Sequence, residues 1–155
     1  MAFNTSNLTW HFSSWDAITK DQFYALAALR IAVFVVEQNC PYQDFDGKDR
    51  KSHHLWCTDE AGTVHAVLRV VQPGVSYPEV SIGRVATSEV SRGTGLGRML
   101  MQRGMQSIID VYGHVPVRIS AQAYLTNFYT SLGFKSVSEP YLEDDIPHIE
   151  MLFTP

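Results

Sequence analysis

The chain has 155 residues, 45% hydrophobic and 18% charged, which suits one ordinary globular domain with a proper core. A formal charge of −4 argues against nucleic acid as the partner, because phosphate backbones reward basic patches, and is compatible with a cationic substrate. No apolar run reaches the roughly 18 residues that span a bilayer, and the N-terminus lacks a basic and apolar leader pattern, so the expectation is a cytoplasmic protein with no membrane partner.

Leu8 to Phe12 alternates apolar and polar residues and reads as a first strand. Thr19 followed by Gln22 is a capping-box signature, and Phe23, Leu26, Ala27, Arg30, Ile31 and Phe34 then recur near one helix face. That helix is expected to fray around Val35 to Gln38, since Pro41 follows shortly. Pro41 to Ser52 reads as a polar loop. Leu55 to Thr58 and Val64 to Val71 read as strands joined by a hairpin turn at Asp59-Glu60-Ala61-Gly62. The second is apolar on both faces, as at a sheet centre. Gln72 to Pro78 is a loop, and Val80 to Thr87 is a further strand. A long helix is expected from Leu96 to Tyr112, a strand over Val117 to Ala121, and a short helix from Tyr124 to Leu132 closed by Gly133. The tail offers strands near Phe134 to Val137 and His148 to Phe153, with an acidic loop, Glu139 to Pro147, between them. The pattern is one α/β domain over residues 1–155, mixed rather than strictly alternating.

Between the strand ending at Thr87 and the long helix stands Arg92-Gly93-Thr94-Gly95-Leu96-Gly97. Glycines on alternate positions permit tight turning and close approach by a ligand. At a helix start such a loop aims free N–H groups at one point, where the helix dipole also favours negative charge. Arg92 adds a cation. A phosphate or pyrophosphate cradle is the simplest reading, although neither the dinucleotide fingerprint nor the P-loop pattern is complete. Downstream, Asn127-Phe128-Tyr129-Thr130-Ser131-Leu132-Gly133-Phe134 fits F-Y-x-x-x-G-F on a short helix.

Together, R-x-x-G-x-G and F-Y-x-x-x-G-F resemble the GNAT superfamily of acyl-CoA-dependent N-acyltransferases. Leu29-Arg30, Val33 to Gln38, Cys40, Tyr42, Asp44, Asp46-Gly47 and Asp49, then His54-Leu55, narrow the resemblance to its ElaA-like branch. Ile82 to Val85, Ser120 to Ala123 and Ile146 to Ile149 point the same way. The resemblance implies a mostly antiparallel sheet with two splayed strands, flanked by helices. It implies acetyl-CoA as co-substrate and a small-molecule or peptide primary amine as acceptor. The donor would be held by Val85, Ala86 and Thr87 on the splayed strand and by Arg92, Gly93, Thr94, Gly95, Leu96, Gly97 and Arg98 at the pyrophosphate. Gln122 (where many members carry Asn), Asn127 and Tyr129 complete that set.

In such a reaction the amine must arrive neutral, and the departing thiolate gains from a proton donor. Tyr129 is the expected acid. Glu37, Asp44, Asp46, His54, Glu79 and His148 are candidate bases, with Glu37 and His54 preferred because they flank the branch's signature loop. Tyr42, Asp44, Asp46 and His148 are expected at the acceptor, the acidic loop holding a cationic amine. Arg84, inside a strand, needs an anionic partner, for which Glu37 is one candidate. Asp44 to Asp49 departs from the calcium-loop order and the two cysteines, Cys40 and Cys57, match neither a zinc pattern nor a disulfide framework, so no metal is expected. A non-catalytic acyl-CoA sensor is the alternative, which Tyr129 argues against.

Overall fold

A computed structural model describes residues 2–155. Its strands are β1 (Thr9–Ser14), β2 (Ser52–Thr58), β3 (Val64–Val71), β4 (Val80–Thr87), β5 (Val117–Gln122), β6 (Lys135–Ser136), β7 (Tyr141–Glu143) and β8 (Ile146–Phe153). The α-helices are α1 (Lys20–Ile31), α2 (Leu96–Tyr112) and α3 (Thr126–Ser131). One mixed sheet runs in the order β1-β2-β3-β4-β5-β8-β6, with β7 also paired to β8.

β3 is the centre, and all of its residues are buried. Helices cover both of its faces. Leu68 and Val70 share a core cluster with Leu100, Met101 and Ile108 of α2. Val67 packs with Trp56 and with Leu26 of α1 on the opposite side. Each such side chain is worth about 1.5–3 kcal/mol when fully buried. α2 lies close to the sheet at Gly104, where an added Cβ would stand 2.8 Å from Leu68 Cδ2.

The capping box is formed: Gln22 N–H donates to Thr19 Oγ1 (3.1 Å) and Thr19 N–H to Gln22 Oε1 (2.9 Å). The expected fraying after α1 does not occur. The chain instead widens into a π-helical turn over Ala32–Glu37, with Gln38 N–H donating to Val33 O at 3.1 Å. This wider turn carries Glu37 and Gln38 to the wall of a cleft.

Three other expectations shift. β2 begins at Ser52, before Leu55, because Ser52 already pairs with Val71. The short helix splits into a 3-10 turn over Ala123–Leu125 and α3. The acidic loop from Glu139 to Pro147 is largely a hairpin, with Asp144 and Asp145 at its tip in left-handed conformation (φ 50° and 61°). Aspartate tolerates that region better than most side chains, as two-residue hairpin turns require.

β4 and β5 run parallel and pair only at Val80↔Val117 and Ser81↔Arg118. Beyond that point they diverge. On its other side β4 carries a bulge against β3, where the register jumps between Val67↔Ala86 and Arg69↔Gly83. Arg84, inside the bulge, has a φ of 51°. A bulge bends its strand and sharpens the twist, which turns the end of β4 away from β5.

Candidate active site

The gap between the two strands is a cleft of about 800 Å³. Ile82 to Thr87 form one wall, Ile119, Ser120 and Gln122 the other. Backbone groups on the gap side of β4 beyond Ser81 have no strand partner on β5. A sheet edge of this kind pairs readily with an extended ligand.

The glycine loop closes one end. Gly93 and Gly95 have φ of 78° and 85°, and nothing stands within 4 Å of an added Cβ at either. Gly95 caps α2 without a side-chain hydrogen bond, and the first turn of α2 holds no acidic residue. Its leading N–H groups therefore keep both their hydrogen-bonding capacity and the positive end of the helix dipole. These are the features an anionic pyrophosphate fits. The Leu96 side chain is buried in the core, so only its backbone faces that point. Gly97 lines the cleft. Arg98 lies over the Phe128 ring and donates to Ser131 Oγ at 2.8 Å, and Asn127 is exposed on α3.

Arg92 is folded back along the cleft. Its guanidinium donates to both carboxylate oxygens of Glu37 (Nη2–Oε2 3.0 Å) and to the Thr87 carbonyl (3.0 Å). The Arg92 hydrogen bond holds the Glu37 carboxyl below its usual pKa, so it is a poor proton acceptor. The expected Glu37–Arg84 pair is thus corrected: Glu37 belongs to Arg92.

Arg84 belongs to a different assembly. The acidic loop folds inward rather than presenting its carboxylates to a ligand. Arg30, fully buried, donates from Nε to Asp44 Oδ2 (3.0 Å) and from Nη1 to Asp49 Oδ1 (2.8 Å). Arg69 holds Asp46 through Nη1 (2.9 Å) and Nη2 (2.6 Å) and reaches Asp49 Oδ1 at 3.1 Å. Arg84 Nη2 donates to the Asp44 carbonyl (3.1 Å) and to Asp46 Oδ2 (3.2 Å). Its Nε lies 2.9 Å from Asp44 Oδ1, an ionic contact rather than a hydrogen bond. Tyr42 donates to the same oxygen at 2.5 Å, and burial followed by that bond pushes its own pKa up.

These arginines and aspartates balance in charge. Burial alone would raise Asp46 and Asp49, but hydrogen bonds and charge from the arginines outweigh it and hold both well below the carboxylate range. Asp44 is buried away from the cleft, and Asp46 at its edge is already matched. The expectation that this loop holds a cationic amine is corrected on those grounds.

His54 is corrected as well. It is fully buried on the α1 face of β2, against Phe23 and Trp15 with ring centroids 5.6 and 6.2 Å away. Its Nε2 donates to the Asp49 carbonyl at 3.0 Å, which leaves Nδ1 without a partner. Burial lowers its pKa, so it is a neutral core histidine, sealed from the cleft. Glu79 is gripped by Arg118 at 3.0 Å from both guanidinium donors, where β4 and β5 are still joined.

Tyr129 and His148 do reach the cleft. Tyr129 on α3 is 6% exposed, and burial, with Tyr124 nearby, pushes its pKa up to about 12. It is therefore protonated at neutral pH. Gln122 also lines the cleft and donates to Gln38 Oε1 at 3.4 Å, joining β5 to the π-helical turn. Glu143 and Asp144, on the hairpin from β7 to β8, form a part of the wall absent from the expected set. The only sequence signal for it is the Asp144-Asp145 pair as a two-residue turn, which Pro147 beside it masks. Among the described residues, no group of three or more His, Cys, Asp or Glu is placed to hold a metal ion, and no helix is long and apolar enough to cross a membrane.

Comparison with known proteins agrees with this geometry. Residues 18–154 match the model of the acetyltransferase (GNAT) domain family. The chain is 43% identical to Protein ElaA of Escherichia coli over 148 residues, 93% of this chain and 95% of that one. A crystal structure of E. coli ElaA superposes with a TM-score of 0.88, covering 94% of this chain and 99% of that chain. An acyl-CoA N-acyltransferase from Pseudomonas aeruginosa is similar at 44% identity and a TM-score of 0.90, covering 95% and 99% of the two chains.

Proposed function

Because the chain belongs to the acetyltransferase (GNAT) family, we propose that it moves an acetyl group from acetyl-CoA directly to a primary amine. The observation that carries this reading is the wedge between β4 and β5, with an uncapped glycine loop at its mouth and a buried tyrosine along its wall. A free module that only bound phosphate would need the loop but not the wedge.

In this reading the donor's pyrophosphate lies on the N–H groups of Gly93 to Gly97, and Arg92 exchanges Glu37 for a phosphate oxygen. The pantetheine arm extends β4 as an added strand, using backbone at Val85, Ala86 and Thr87, and replaces Arg92 at the Thr87 carbonyl. An N–H of the same strand end receives the oxyanion as the amine attacks the acyl carbon, which is where a fixed donor contributes most. Tyr129 gives its proton to the departing thiolate. The domain as a whole, residues 1–155, serves this one site, in the cytoplasm.

The donor half is tested by Gly95→Glu. The position has open space around it, so the fold should persist at a modest cost for the left-handed backbone. A carboxylate at the mouth of an anion cradle repels phosphate. Calorimetry is expected to show acetyl-CoA affinity falling below detection, with a cooperative melt retained. Unchanged affinity would remove the pyrophosphate from this loop.

A further inference from the structure

The N-acetyltransferase reading leaves the acceptor's proton without a destination, and the two faces of the sheet supply one. Strand neighbours point to opposite faces. Ile119 and Ala121 of β5 point into the α2-side core, as does Tyr129. Gln122 therefore points to the α1 side, where it meets Gln38. His148 is the cross-strand partner of Gln122 and shares that face. Counting up both strands from Val80↔Val117 brings Val85 about level with Gln122. The wedge thus has Tyr129 on one face and His148 on the other, with the reactive end of β4 across from them.

The His148 ring is already oriented. Its Nδ1 lies 2.7 Å from the Ile146 carbonyl, which can only accept, so Nδ1 carries the proton. Nε2 is then the lone-pair nitrogen of the neutral ring. It lies 3.4 Å from Glu143 Oε2, a carboxylate that is 50% exposed. On β7 the other titratable neighbour is Tyr141, whose ring stacks with His148 and whose pKa is raised by burial. The cross-strand partner of His148 on β5 is the neutral Gln122, and on the same face stand Ser120 of β5 and Glu150, two positions on along β8 and paired with Arg118. The remaining candidate bases are engaged: Glu37 by Arg92, Asp44 and Asp46 by the arginine cluster, Glu79 by Arg118.

We infer that His148, oriented by the Ile146 carbonyl and backed by Glu143, is the general base that takes the acceptor's proton, the amine entering from the α1 face. This rests on the transferase reading above. The amine nitrogen forms the C–N bond at the acyl carbon, and the C–S bond to the coenzyme breaks as the oxyanion collapses. The N–H proton passes to His148 Nε2, the resulting imidazolium faces Glu143, and the thiolate takes the Tyr129 proton. Exchange with water returns both side chains to their starting states, so the products are amide and thiol.

The test is kcat against pH for wild type, His148→Gln and Glu143→Gln, using whichever of spermidine, kanamycin, phenylalanine and a lysine peptide the wild type acetylates fastest. His148 must be neutral to act, so wild-type kcat should fall toward acid pH. His148→Gln should lower kcat by about 100-fold or more and remove that acid limb, with acetyl-CoA affinity retained. Glu143→Gln removes the carboxylate that the imidazolium faces as it forms, so kcat should fall while acetyl-CoA affinity is retained. Its partial exposure makes it safe for the fold should His148→Gln prove unstable. A kcat within about 3-fold of wild type with the limb in place in His148→Gln, or an unchanged kcat in Glu143→Gln, overturns the inference while leaving the transferase reading intact. A wild type that binds acetyl-CoA and acetylates none of the probes overturns both.

Discussion

Arg30→Met is expected to destabilise the fold by about 3–5 kcal/mol, read as a fall in the denaturant midpoint at an unchanged slope. Methionine fills much of the same space, so the loss is electrostatic rather than a cavity. Arg30 has no exposed surface, and its guanidinium serves Asp44 and Asp49, themselves 3% and 5% exposed. Its removal leaves the cluster with one net negative charge and two carboxylates short of donors. Buried charges left unpaired are far more costly than the same pair is beneficial. The pH dependence has a definite sign. Asp46 and Asp49 have depressed pKa values in the folded state, so their contribution is complete above the ordinary carboxylate range near ~4. It is lost only as pH falls through the depressed values. Arg30→Met should therefore begin to unfold at a higher pH than the wild type. A variant within about 1 kcal/mol of wild type would mean that water or backbone shifts relieve the carboxylates, and the cluster would not be the lock on this loop.

The cluster also bears on the site. It ties the loop from Tyr42 to Asp49 to the β4 bulge through Arg84, whose guanidinium bonds the Asp44 carbonyl and Asp46. The bulge that turns β4 out of the sheet is thus braced from the α1 side. Tyr42, below Arg84 at 5.3 Å from ring centroid to guanidinium carbon, completes that wall.

Tyr129→Phe is expected to lower kcat by about 100- to 1000-fold while acetyl-CoA affinity changes by no more than about 3-fold. Phenylalanine keeps the edge contacts to Phe128 and Phe134, with ring centroids 5.1 and 6.0 Å away, so the change is confined to one hydroxyl. A phenol with its pKa pushed up to about 12 carries its proton in any working buffer and gives it up less readily than an ordinary phenol, so its donation belongs to the step in which the sulfur departs. Steady-state kinetics paired with calorimetry separates the two quantities. Turnover within about 3-fold of wild type would leave the thiolate to depart unassisted, and Tyr129 would be a packing residue.

Local signals in the sequence are legible because their physics is local. The Thr19–Gln22 box, the buried central strand and the glycine loop before α2 each depend on residues a few positions apart, and each formed as expected. The failures concern partners distant in sequence. Asp44 and Asp46 read as an open acidic loop because Arg30, Arg69 and Arg84 stand 14, 23 and 40 positions away. No spacing rule connects them. His54 stands out in the sequence because it flanks the branch's signature loop, whereas its neighbours in space are Phe23 and Trp15. The hairpin at Asp144-Asp145 was hidden by Pro147, which usually marks the end of regular structure but here lies in the second position of β8. With that hairpin unread, Glu143 could not be associated with His148. Glu37 lies on the cleft wall, and its bond to Arg92 is invisible without knowing that the π-helical turn and the glycine loop share that wall.

The most direct test of acetyl transfer through the wedge is thiol release from acetyl-CoA by the wild-type protein. The acceptors are polyamines, aminoglycosides, amino acids and lysine peptides, and mass spectrometry follows each of them. Coenzyme A release is expected above the no-enzyme rate with at least one primary amine, matched mole for mole by its N-acetyl product. Saturable acetyl-CoA binding with release no faster than in buffer across every acceptor would contradict it, and would make the cleft a site that holds the coenzyme without transferring from it.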